Sequence, residues 1–179
     1  MDATVADYRL PVTKILVTGM SGTSKSSALA ELGRRGYRVV DTDEPGWREY
    51  RKYAEPTDEL HRGEFLWVED RMNELLDADD DRPLFVAGGV RNQAKFYDRF
   101  DAVVLLTAPA DVMLERVARR STNAYGKTEL ERAEILADLA EIEPVIRQHC
   151  THELDASRPL ADVVADLIAI ASEMSSSSA

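Results

Sequence analysis

The residues best placed to do chemistry lie in Ile15-Leu16-Val17-Thr18-Gly19-Met20-Ser21-Gly22-Thr23-Ser24-Lys25-Ser26-Ser27. The apolar start reads as a buried strand, the middle as a loop of small residues, and Lys-Ser as the opening of a helix. Small residues let backbone N–H groups turn inward around phosphate oxygens, and a helix N-terminus adds the positive end of its dipole. Gly19, Ser21, Gly22, Thr23, Ser24, Lys25, Ser26 and Ser27 are therefore candidate phosphate-binding residues. Lys25 would lie on the β- and γ-phosphates of a nucleotide, and the Ser26 hydroxyl would ligate Mg²⁺. One position departs from G-x-x-x-x-G-K-[ST]: Ser24 stands where the second glycine belongs. If that position needs φ > 0, Ser there costs on the order of 1 kcal/mol and puts a side chain near the phosphates. The competing reading is a Gly/Ser-rich strand-to-helix turn that ends in Lys-Ser.

Asp41-Thr42-Asp43 closes the second apolar run. Strand alternation puts both carboxylates on one face, at the carboxyl edge where open α/β sheets bind ligands. Phosphoryl transfer to an alcohol needs one carboxylate near Mg²⁺ and another to orient or deprotonate the acceptor hydroxyl. Asp41 and Asp43 suit these two tasks; alternatively they cap the turn that follows. The third run, Leu84 to Ala87, ends in Gly88-Gly89-Val90-Arg91 and carries no Asp, which leaves the metal carboxylate to Asp41. Gly88 and Gly89 would let a substrate approach the backbone, with Arg91 facing an anionic or hydroxylated group. A tight turn into a helix over Asn92 to Arg99 is the plainer alternative. Trp67 and Arg71, one turn apart on a helix expected over Glu64 to Asp77, either share a pocket wall or divide between core and solvent.

These residues need a frame. Short β-branched apolar runs at Ile15–Thr18, Tyr37–Val40, Pro83–Ala87 and Ala102–Leu106, with a weaker fifth at Thr151–Leu154, predict strands. Helical periodicity between them covers Ser26–Arg35, Glu64–Asp77, Asp111–Arg120, Thr128–Gln148 and Leu160–Met174. The alternation predicts an α/β fold, a parallel sheet with helices on both faces. We expect an N-terminal arm (1–13), one domain (14–174), a substrate insert (43–63), a lid (120–128) and a disordered Ser tail (175–179).

Composition narrows the partners. The 179 residues carry 22 Lys plus Arg against 33 Asp plus Glu, a formal net charge of −11. Such a surface repels nucleic acid and anionic membranes, so neither is expected as a partner. The single cysteine, Cys150, excludes an intrachain disulfide and agrees with a cytoplasmic protein, monomer or homodimer. His149, Cys150 and His152 have zinc-type donors but no partner pair elsewhere in the chain. Arg48, Arg51, Lys52 and Arg62 make the insert locally basic, to bind an acceptor phosphate or to pair with Glu44, Glu49, Glu55 and Glu59.

Gly19-x-Ser21-Gly22-x-x-Lys25-Ser26, Asp41-x-Asp43 and the Gly-Gly strand end together resemble the shikimate kinase and gluconate kinase branch of the P-loop kinases. Adenylate kinase-like enzymes are more distant relatives, and an AAA-type ATPase grouping fits the same motifs. The resemblance covers roughly Lys14 to Met174 and implies a five-stranded sheet in the order 2-3-1-4-5, with ATP and Mg²⁺ as cofactors. It also implies that Asp41 helps hold Mg²⁺, that Asp43 contacts the acceptor hydroxyl, and that Gly88 and Gly89 line the acceptor pocket. By the same likeness Arg116 stacks on adenine, Arg120 or Arg119 reaches the transferring phosphate, and the loop with Arg158 and Pro159 closes over the base. Leu66 falls near the place of the Arg that the shikimate pocket uses. The function implied is an ATP- and Mg²⁺-dependent phosphotransferase acting on a hydroxyl of a small metabolite. The alternatives are a nucleoside monophosphate kinase and a non-catalytic ATP-binding regulator impaired by Ser24.

Overall fold

The computed structural model describes residues 12–78, 80–121 and 123–177. Most of the expected N-terminal arm (1–11) and the last two tail residues lie outside the described residues. Five parallel strands form the central sheet: β1 (Lys14–Thr18), β2 (Arg38–Asp41), β5 (Leu84–Ala87), β6 (Ala102–Thr107) and β7 (His152–Asp155). Their spatial order is β2-β5-β1-β6-β7. Counted within this sheet alone, that is the 2-3-1-4-5 order expected from the resemblance. The three middle strands are almost wholly apolar and buried, as strands covered on both faces must be.

Alternation along β1 sorts the core into layers. Ile15 and Val17 face one side, with Leu29 and Leu32 of α1 (Lys25–Arg34) and Val164 and Leu167 of α6 (Leu160–Ser177). Leu16 faces the other, with Met72 and Leu76 of α2 (Glu69–Asp77), and with Trp67 and Phe96. A third cluster, Met113, Val117, Ile135 and Ile146, ties α3 (Ala110–Arg119), α4 (Glu129–Glu141) and α5 (Glu143–His149) to the end of the phosphate loop at Met20.

Four expectations change. Gly63–Trp67 is a strand, β4, rather than the start of a helix, and pairs antiparallel with β3 (Arg48–Lys52). The insert is thus a β-hairpin that runs to Trp67, and the helix begins only at Glu69. The helix expected over 128–148 is two helices, because Pro144 lacks the N–H that a continuous ladder requires and starts α5 instead. Residues 93–99, expected as a helix, form a 3₁₀ helix. Finally, Ser175 and Ser176 are not a disordered tail: they lie in α6, and the Ser175 hydroxyl shares a 2.5 Å hydrogen bond with that of Thr13. No helix among the described residues is long and apolar enough to cross a membrane.

Candidate active site

The phosphate loop leaves β1 at Thr18 and enters α1 at Lys25. Gly22 has φ +90°, and a Cβ there would lie 2.5 Å from the Met113 carbonyl oxygen, so the loop can seat against α3 only through glycine. Ser24 also sits at positive φ, 65°, with ψ 23°, and its side chain makes no capping hydrogen bond. Thr23 is buried and closes the turn, its hydroxyl donating to the Met20 carbonyl at 2.8 Å. Ser26 and Ser27 stand exposed in the first turn of α1.

Lys25 folds back over the loop, its Nζ donating to the carbonyls of Gly19 (2.6 Å) and Met20 (3.0 Å). Burial pushes the Lys25 pKa down, Asp43 and Asp41 oppose that, and Arg120 and Arg48 push it down further. Charges from the β2 end, the 120–128 segment and the hairpin therefore all act on the lysine.

At the β2 end, Thr42 points inward between its two aspartates. Its hydroxyl donates to the Ala87 carbonyl (2.8 Å) and accepts from the Trp67 indole N–H (2.9 Å). That leaves Asp41 and Asp43 facing away from the core, as alternation requires. Asp41 Oδ1 accepts the Asp43 backbone N–H at 3.0 Å, and Asp43 pairs with Arg48 at 2.8 Å. Ser26 and Asp41 are hard oxygen donors suited to Mg²⁺. Among the described residues no group of three or more acidic, His or Cys side chains could hold a metal ion. One carboxylate and one hydroxyl suit a Mg²⁺ ion that keeps most of its waters and binds substrate phosphates.

Several candidates have different duties from those expected. Trp67 and Arg71 share no wall: Trp67 is 1% exposed and packs edge-on to Phe96, while Arg71 lies 4.1 Å from the centre of the Trp47 ring. A Cβ on Gly88 would collide with the Thr42 hydroxyl, so this glycine makes room for the Thr42–Trp67 contact. Gly89 lies beside Gly19 and Thr18, against the phosphate loop. Arg91 is exposed among Tyr53, Glu64 and Asp138, and its backbone N–H donates to the Phe65 carbonyl at 3.0 Å. The insert cations pair differently from the expected scheme: Arg48 with Asp43, Arg51 with Glu64 and Arg62 with Glu134. Leu66 is a strand residue of β4.

The two arginines at the end of α3 differ in setting. Arg119 is exposed and pairs along its own helix with Glu115 at 2.6 Å. Arg120 turns inward, donating to the Tyr125 carbonyl at 2.9 Å, and its buried Nε has no partner. Burial pulls the Arg120 pKa down against the attraction of Asp43.

The 120–128 segment, expected as a lid, is tied at both ends. Lys127 Nζ caps α3 by donating to the carbonyls of Val117, Ala118 and Arg120 at 2.7–2.8 Å. Glu131 accepts three consecutive backbone N–H groups, from Gly126 to Thr128, and completes a capping box with Thr128. The hairpin reaches α4 through His61, which lies 3.2 Å from Glu141, and through Arg62 and Glu134 at 3.3 Å.

On the other side of the loop, Ser24, Arg116, Ala156, Arg158, Leu160 and Val163 line a cleft. Arg116 donates to the Gly22 carbonyl at 3.4 Å, and Arg158 pairs with Asp166. Pro159 caps the start of α6, its carbonyl accepting from Asp162 and Val163. His149 is exposed, Cys150 donates to the Arg147 carbonyl, and His152 bonds its neighbour Thr151.

Sequence reasoning missed three positioning residues. Arg48 is the partner of Asp43. Asn92 clamps the end of the hairpin, accepting the Trp67 N–H (2.8 Å) and donating to its carbonyl (3.1 Å). Gln93, 5% exposed, accepts the Thr18 hydroxyl just before the phosphate loop. The signal for the two amides was their place directly after Gly88-Gly89-Val90-Arg91, where polar residues read as an ordinary turn.

Residues 15–137 match the family model described as an AAA domain. No curated protein matches the chain in sequence. Among solved structures, a shikimate kinase from Acinetobacter baumannii, in complex with shikimate, is 17% identical with a TM-score of 0.58, covering 89% of this chain and 92% of its own. A gluconokinase from Sinorhizobium meliloti 1021 is 20% identical with a TM-score of 0.56, covering 94% and 96%. A shikimate kinase from Bacteroides thetaiotaomicron is 14% identical with a TM-score of 0.58, covering 87% and 96%. At such identities the likeness is one of fold, the three-layer α/β architecture of P-loop kinases.

Proposed function

The chain belongs to the AAA domain family, and from that premise we propose that it is an ATP- and Mg²⁺-dependent phosphotransferase acting on a hydroxyl of a small metabolite. The observation that carries this reading is that Lys25 folds back onto the loop carbonyls of Gly19 and Met20 and feels the charges of Asp41, Asp43, Arg48 and Arg120, which come from three separate parts of the fold. Catalysis of phosphoryl transfer is mostly positioning and charge stabilisation, so such a constellation is what the chemistry asks for.

Lys25 and the loop amides hold the phosphates, and the cleft of Arg116 and Arg158 takes the base end of the nucleotide. Ser26 and Asp41 supply oxygen ligands for Mg²⁺, which when bound offsets charge on the phosphate oxygens. Asp43 accepts the proton of the acceptor hydroxyl, and Arg48 holds its carboxylate in place. Arg120, turned inward, neutralises the charge developing on the transferred group, with Arg119, paired to Glu115, in reserve.

Two other readings were open in the sequence. A nucleoside monophosphate kinase would draw on the insert cations, and Arg51 and Arg62 are engaged with Glu64 and Glu134. A non-catalytic ATP binder draws support from the left-handed conformation of Ser24. The test is acceptor-dependent ADP release from MgATP, with binding followed by calorimetry, in the natural protein and in Lys25→Ala. Turnover lost by about 100-fold or more in the variant supports the kinase. Nucleotide binding without turnover on any acceptor supports the regulator.

A further inference from the structure

The hairpin presents a surface beside Asp43 that the proposed chemistry does not yet use. Its register pairs Arg48 with Trp67, Tyr50 with Phe65 and Lys52 with Gly63, so these six residues share one face. The face begins at the site: Trp67 packs under Thr42, and Arg48 reaches Asp43 at 2.8 Å. The Arg48 guanidinium then lies 4.3 Å from the centre of the Phe65 ring. Phe65 in turn meets Tyr50 at 5.0 Å between centroids, tilted by 58°. Gly63 continues the row, and a Cβ there would lie 2.6 Å from the Tyr50 hydroxyl, so the tyrosine covers this position.

Both rings are open, Tyr50 at 47% and Phe65 at 42% exposure, whereas the other large aromatics among the described residues are at least partly buried. A cross-strand aromatic pair stabilises a hairpin. Stability alone does not require the pair to lie on the same face as the partner of Asp43, next to a fixed guanidinium.

Resting on the kinase reading, we propose that this face is the acceptor platform, and that the acceptor is a cyclic hydroxyl compound with an apolar ring face. An aromatic surface of this kind gains from a ring laid against it, saturated or heteroaromatic, whereas an open-chain polyol offers no such face. Asp43 at one end of the platform takes the hydroxyl, and Phe65 and Tyr50 select the ring. A saturated ring and a nucleoside share this chemistry, and the experiment separates them.

The 179-residue chain is saturated with MgADP to fill the nucleotide cleft. Glucose, shikimate and thymidine are then compared with gluconate, sorbitol and glycerol by saturation-transfer NMR, and with MgATP by ADP release. Ring probes should bind and at least one should be phosphorylated, with open-chain probes doing neither. Thymidine alone would mark a nucleoside, and glucose or shikimate a saturated ring. Phe65→Leu and Tyr50→Leu should raise the KM for that acceptor by about tenfold and leave the KM for MgATP within about twofold. Phe65→Tyr and Tyr50→Phe keep the rings and the hairpin, and should recover most of the acceptor binding that the leucine variants lose. Open-chain probes binding as well as rings, absence of binding by every ring probe, or leucine variants with unchanged acceptor KM would each overturn the platform. Ring probes that bind through Phe65 and Tyr50 without any ADP release would instead keep the platform and remove the kinase reading.

Discussion

The phosphate loop and the hairpin serve the same site from opposite sides, and they are built on different principles. The loop is held by backbone: Gly22 packs against Met113, Thr23 closes a turn, and Lys25 caps two carbonyls. Its chemistry is sequence-local, and nearly every group it needs lies within 19–27. The hairpin works through side chains brought together across a register, with Arg48 meeting both Asp43 and Phe65. A local device can be read from spacing, whereas a register-dependent one depends on which residues come to face each other. Nucleotide handling should therefore be sensitive to a few loop positions, and acceptor handling to pairs of residues distant in the chain.

The largest break in that comparison is Lys25→Ala, with the loss of turnover given above. Asp43→Asn comes next. Removing the proton acceptor while keeping the side-chain shape should lower kcat by about 100-fold. The calorimetric affinity for MgATP should stay within about threefold, because Asp43 pairs with Arg48 of the hairpin and is proposed to meet the acceptor rather than the phosphates. A comparable loss of nucleotide affinity would show that the two sides are not separable.

How far the sequence could be read follows the same division. β1, β5 and β6 are uninterrupted apolar runs, and their identity was legible because both faces are buried, while their order came only from the family resemblance. The shared face of Asp41 and Asp43 was legible through strand alternation, and their candidacy through the phosphate loop beside them. Gly63–Trp67 was not, because Phe65, Val68, Met72, Leu75 and Leu76 also satisfy a helical spacing. In β3 the charges of Arg48, Glu49, Arg51 and Lys52 mask the period of two, and only pairing with β4 reveals it. Arg48 was read as one of a basic cluster for the same reason. Pro144 did announce the break between α4 and α5, which the long apolar periodicity obscured.

Smaller in effect is Gly126→Ala, which tests whether the 120–128 loop shares the rigidity of the phosphate loop. Gly126 has φ +91°, and a Cβ there would collide with Val117 in the third core cluster. Left-handed strain and overpacking together should cost about 2 kcal/mol, a fall in Tm of roughly 6 °C. A neutral result would mean that the loop moves freely of α3, against the three carbonyls capped by Lys127.

Ser24→Gly carries the smallest expected effect and decides most about the loop. At φ 65° a serine is strained by about 1 kcal/mol, which glycine relieves. Glycine also gives the unfolded chain more freedom to lose, about 0.4–1 kcal/mol in the opposite direction. The net stabilisation should be no more than about 0.5 kcal/mol, a rise in Tm of roughly 1–2 °C by thermal unfolding. Affinity for MgATP should change by less than about twofold: the strain is already present before the nucleotide arrives and cancels between free and bound protein. Tightening by tenfold would mean that the serine side chain obstructs the phosphates, and the non-catalytic reading would then gain. An unchanged affinity leaves Ser24 as a tolerated substitution in a working loop, its strain offset by the core that holds β1 and α1 in place.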